Sequence, residues 1–95
     1  LKKKKMNLKE TLTILSEECA EVVQANSKLI RFGVDNEENK DHLEQELGDI
    51  MAMICILDYY GYVNIERIGS HMEPKLIKLK KYSTIKNLNK IIKNL

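Results

Sequence analysis

From Leu8 onward, apolar residues return every three or four positions: Leu8, Leu12, Leu15, Cys19, Val22, Val23, Leu29 and Ile30, with Asn26 on the same face. That recurrence predicts one amphipathic helix over roughly residues 8–32. Asn7 is placed to cap it, Glu10 is the reciprocal partner of a capping box, and Gly33 is a natural stop. VDNEENK then reads as a polar loop. A second helix is expected from near Asp41, or slightly earlier, to about Tyr60, with Gly61 ending it. Its second half, IMAMICIL, is apolar all the way round, a pattern that calls for burial on every side.

Further on, Asn64 can cap a third helical piece. Pro74 would break a continuous helix but suits the first turn of a new one, so EPKLIKLKKY begins a fresh segment. After Ser83, the residues Ile85, Leu88, Ile91, Ile92 and Leu95 fall on one stripe. The organisation that follows is a disordered basic lead over 1–7, a helical domain over 8–83, and an amphipathic C-terminal helix over 84–95. That last helix is expected to pack on the body or on a partner subunit. No internal repeat, glycine-rich phosphate loop or strand-like alternation stands out.

Composition supports an all-α class. The chain has 95 residues, 43% hydrophobic and 32% charged, with one proline and four glycines, which fits a small soluble helical domain. So short a chain buries a limited core, and a helix that asks for burial all round points to completion by oligomerisation. Eleven of the fourteen acids lie between Glu10 and Asp49, and eight of the sixteen basic residues follow Ile65. Such asymmetry suits a site that holds cations and anions together, and equally two helices that attract each other. Cys19 and Cys55 sit inside apolar patterns and read as free thiols on core faces, which points to a reducing, cytoplasmic setting. The longest apolar run, Ile50 to Leu57, is too short to span a bilayer.

The candidate chemistry lies in the acids. Residues three apart on a helix are separated by only about 60° around the axis, so Glu18 and Glu21 project together from the first helix. Glu46 and Asp49 do the same from the second. A solvated charged face would explain either pair alone. However, Glu18 has Leu15, Val22 and Ala25 as helical neighbours, and Glu46 and Asp49 run directly into Ile50 and Met53. Carboxylates that approach a core need compensation, by lysines or by a metal.

Oxygen-only ligands select hard cations, Mg²⁺ above all where phosphates complete the shell, with Mn²⁺ as a substitute. Neither His42 nor His71 supplies the Glu-x-x-His pairing of a di-iron bundle. His42 reads as a surface residue of the second helix's first turn, and His71 as a linker residue. A zinc site is not expected, because the two cysteines lack ligand spacing. Along the first helix, Glu17, Glu21, Gln24, Lys28 and Arg31 form one polar stripe, acidic and then basic. Metal at one end and phosphate at the other would account for that order, as would surface salt bridges. Lys75, Lys78 and Tyr82 share one face of the segment after Pro74, either as phosphate contacts or as a plain solvated face.

EECAE, followed after twenty-four residues by ELGD, resembles the E-E-x-x-E … E-x-x-D signature of the MazG-like nucleoside triphosphate pyrophosphohydrolases. VVQANSKLIRFG and KLIKLKKYS are similar to small single-domain members, and the resemblance covers roughly residues 8–83. It implies a compact all-α bundle of four to five helices working as a homodimer or homotetramer. It also implies Mg²⁺-dependent cleavage of a nucleoside triphosphate between the α and β phosphates, giving the monophosphate and pyrophosphate. By position, Glu18, Glu21, Glu46 and Asp49 match the metal ligands. Glu17 matches the first acid of the signature, with an outer-shell or further metal role. Lys28, Arg31, Lys75, Lys78 and Tyr82 stand where substrate contacts are expected. Pro74 departs from the pattern within the helix that carries the last three.

With such a site, Glu21 or Glu17 would take the proton of the attacking water, and basic side chains would meet the charge on the phosphates. The alternative is a non-catalytic helical module that oligomerises or binds a partner through IMAMICIL and the tail stripe. Glu46 and Asp49 weigh against it, since such a module gains nothing from acids beside its most buried segment. Nucleic-acid binding through the lysine-rich ends lacks an aromatic or helix-turn-helix framework. Neither nucleic acid nor membrane is an expected partner.

Overall fold

Five α-helices make up the computed structural model, which describes residues 6–95, and no strand occurs among the described residues. The all-α expectation holds. The basic lead expected at 1–7 falls mainly on residues 1–5, which lie outside the described residues. The chain divides into two units, Leu1–Tyr62 and Val63–Leu95.

The first unit is a hairpin of two long helices, α1 (Leu8–Phe32) and α2 (Glu37–Tyr59). Asn7 caps α1 by accepting from the Glu10 backbone N–H at 2.9 Å, and the Thr11 hydroxyl donates to the Asn7 carbonyl at 2.9 Å. At the other end, the Gly33 N–H donates to the Leu29 carbonyl at 3.0 Å, with φ at 108°. That positive φ is open to glycine at no steric cost, so the helix stops there.

α2 starts at Glu37, four residues before Asp41, and the polar loop shrinks accordingly. Asn36 accepts from the Asn39 N–H at 3.0 Å, and Glu37 and Glu38 lie in the first turn, where negative charge favours the helix dipole. A polar run with a good cap is a helix start rather than a loop.

The contact between α1 and α2 follows a spacing of four and three. On α1 the inward residues are Thr11, Leu15, Glu18, Val22, Ala25 and Leu29; on α2 they are Leu43, Glu46, Ile50, Met53 and Leu57. Thr11, Ala25, Leu29, Met53 and Leu57 are buried and the others half-buried. This is the spacing of a knobs-into-holes seam. It lies to one side of the expected apolar face: Leu12, Cys19, Val23, Asn26 and Ile30 are exposed. The physical reason is closeness of approach. Ala25, the most buried residue of α1, lets the backbones come together, which a stripe ranked by side-chain size does not reveal.

The same geometry places the apolar run and the cysteines. Within the single chain, IMAMICIL has Met53 and Leu57 buried, Ile50 and Ile54 half-buried, and Met51, Ala52, Cys55 and Ile56 exposed, so burial all round would need a second subunit. Cys19 and Cys55 are free, but both are exposed rather than on core faces. The periodicity that placed them inside is satisfied by the outer apolar stripes.

In the second unit, α3 (Ile65–Ser70), α4 (Met72–Tyr82) and α5 (Leu88–Lys93) follow in sequence, and α4 contacts both of the others. Asn64 caps α3, accepting from the Arg67 N–H at 2.9 Å, and Pro74 occupies the first turn of α4. The helix expected over 84–95 is confined to Leu88–Lys93. Asn87 immediately before it has a left-handed φ of 64°, a conformation that asparagine tolerates and that cannot continue a helix. Leu88 is the buried residue of the expected stripe, Ile92 is half-buried, and Ile85, Ile91 and Leu95 are exposed.

Candidate metal centre

Two positions in the α1–α2 seam are occupied by acids. Glu18 stands between Leu15 and Val22 on α1, and Glu46 between Leu43 and Ile50 on α2, both half-buried. Asp49, one turn beyond Glu46, is at the exposed edge. The antiparallel hairpin brings these three together, so that one carboxylate oxygen from each lies within 4.8 Å of the other two. The seam that packs the helices therefore also aims the acids.

Electrostatics make this a strained group without a cation. Glu18 is pushed above its ordinary value of 4.5, first by partial burial, then by the charge of Asp49 and a hydrogen bond with it, then by Glu46 and Glu21. Like charges this close disfavour ionisation, and a bound cation would relieve the same repulsion. Among the described residues, no lysine or arginine forms an ion pair with Glu18, Glu46 or Asp49. The donor set fits a hard divalent ion: three carboxylates, all oxygen, on two rigid helices.

The remaining candidates are distributed as follows. Glu21 and Glu17 are exposed, and neither belongs to the three-acid group, although the Glu21 charge is felt at Glu18. Lys28 and Arg31 are exposed farther along α1, with the Arg31 guanidinium 4.9 Å from the centroid of the Phe32 ring. Lys28 follows Glu21 by two turns on the same face, about 10 Å along the axis. Lys75, Lys78 and Tyr82 are exposed on α4 in the second unit, where Lys81 also approaches the Tyr82 ring at 5.5 Å.

His42, expected as a surface residue of the first turn of the second helix, is corrected by the structure. It lies in the second turn of α2 rather than the first, is half-buried, and its Nε2 is 3.3 Å from Oε1 of Glu46. The four-residue step from His42 to Glu46 is legible in the sequence; that Glu46 sits half-buried in the seam is not.

Comparison with known proteins gives one result. No curated protein and no solved structure gives a significant match. The family model of the MazG nucleotide pyrophosphohydrolase domain matches residues 6–83, taking in both acid-bearing helices and ending just beyond α4. The chain belongs to the MazG nucleotide pyrophosphohydrolase family.

Proposed function

We propose that this chain is a Mg²⁺-dependent nucleoside triphosphate pyrophosphohydrolase that cleaves between the α and β phosphates, releasing the nucleoside monophosphate and pyrophosphate. The observation that carries the reading is the convergence of Glu18, Glu46 and Asp49 from two helices, part of it within a packing seam, with no lysine or arginine among the described residues paired with them. Carboxylates so placed oppose folding unless something binds them. Membership of a pyrophosphohydrolase family supplies the reaction class that matches.

In this reading Glu18, Glu46 and Asp49 hold the cation, with Glu21 one turn along α1 as a fourth, outer carboxylate. When bound, Mg²⁺ (or Mn²⁺) supplies Lewis-acid stabilisation of phosphoryl oxygens and activates the water that attacks phosphorus. Glu21 or Glu17, both solvent-facing, accepts the proton of that water. Lys28 and Arg31 meet the negative charge of the phosphates, and their charge matters most as it builds on the departing pyrophosphate. For Lys75, Lys78 and Tyr82 the proposed contact with substrate rests on residue type and family pattern alone.

Among the described residues no helix is long and apolar enough to cross a membrane. Two exposed free thiols suit the cytoplasm, where they stay reduced. The outer apolar stripes of α1 and α2 suit assembly into a homodimer or homotetramer. The site is tested by Glu46→Gln and Asp49→Asn. Each should lower kcat/KM with a nucleoside triphosphate by 100-fold or more, on the order of 3 kcal/mol of transition-state stabilisation, and should keep parent-like helicity. A variant that keeps parent kcat/KM would remove that residue from the site.

A further inference from the structure

The three acids leave His42 unexplained. Its Nε2 lies 3.3 Å from Oε1 of Glu46, across an i, i+4 step of the same helix. The Glu46 side chain is only 13% exposed and that of His42 38%, so the contact is made at the mouth of the seam rather than in open solvent. His42 is not itself one of the residues that converge as ligands. What it touches is one of the two half-buried acids of the group.

A glutamate in that position has freedom left to lose. Leu43 and Ile50, one turn before and after, are half-buried in the same seam, but the torsion that turns the carboxylate is broad and nearly two-fold. A donor on Oε1 removes this rotation and leaves the second oxygen free for a cation. Carboxylate ligands of metals are commonly held in this way, and loss of such a partner costs about 10–100-fold in metal affinity. A neutral imidazole with its proton on Nε2 is sufficient, so the effect needs no change of charge.

We infer that His42 is a positioning residue of the metal centre: its Nε2–H fixes the Glu46 carboxylate in the orientation that receives the ion. The inference rests on reading Glu18, Glu46 and Asp49 as a metal site. Calorimetric titration of the full chain with Mn²⁺ at one fixed pH tests it, using the parent, His42→Ala and His42→Gln, with thermal melts in chelator alongside. An i, i+4 pair within one helix contributes little to folding, so all three should melt alike without metal.

His42→Ala should bind Mn²⁺ about 10-fold more weakly or worse, and His42→Gln, which keeps an N–H donor of similar reach, should recover most of the loss. An Ala variant that binds Mn²⁺ like the parent would overturn the inference while leaving the metal site intact. So would a Gln variant no better than Ala, because the donor would then not be the operative feature. A parent that takes up no Mn²⁺ would overturn the metal site and this inference together.

Discussion

At the position of Glu18 an apolar residue would be the ordinary choice, since Leu15 and Val22 flank it in the same seam. The acid there has its pKa raised, by partial burial first and by Asp49 next. The folded chain thus binds that proton more tightly than the unfolded chain. Stability from this group is fully present below the ordinary value of 4.5 and is lost as pH rises through the raised folded value. Glu18→Gln cannot ionise, so in chelator it should melt with a flatter pH dependence and be as stable as the parent, or more so, at neutral pH. It should also lose the Mg²⁺-induced rise in Tm that mass action gives the parent. Thermal melts across that window, with and without Mg²⁺, read both effects. A variant strongly destabilised in chelator yet still showing the full Mg²⁺ shift would remove Glu18 from the metal site. This acid was legible from its apolar neighbours; the proximity to Asp49 that raises its pKa needed the hairpin.

Among the elements, α1 was legible almost to the residue because its cap, its periodicity and its glycine stop agree. α2 was not, because the signal for its start is the Asn36 cap followed by glutamates rather than an apolar residue, and a polar run resembles a loop. The seam was misplaced for a related reason: Thr11, Glu18 and Ala25 are weak apolar signals, but their 4–3 spacing with Leu15, Val22 and Leu29 sets the contact. Gly48 gives a test of helical register. It lies mid-helix in α2 between Glu46 and Asp49, and an added Cβ would meet nothing within 4 Å. Gly48→Ala should therefore raise stability by about 0.5–1 kcal/mol, read as a Tm increase of several degrees. A fall in Tm would mean that this face of α2 is covered more closely than the hairpin alone shows.

At the scale of the whole chain, exposed large apolar side chains outnumber buried ones among the described residues. Val23 is 68%, Ile30 73% and Met51 66% exposed, on helices whose other face is already packed. Apolar stripes of this kind along two long helices suit covering by a second copy of the chain. Sedimentation at micromolar concentration should show a dimer or tetramer, and Met51→Glu should shift it toward monomer; a parent sedimenting as a stable, active monomer would count against assembly. The central claim is chemical, however, and the products decide it. The parent chain, incubated with Mg²⁺ and a panel of ribo- and deoxyribonucleoside triphosphates, should be followed by phosphorus NMR. At least one triphosphate should give nucleoside monophosphate and pyrophosphate in equal amounts, with no diphosphate at any time and no reaction in chelator. Diphosphate and orthophosphate as the first products, or turnover that persists unchanged without a divalent ion, would contradict it.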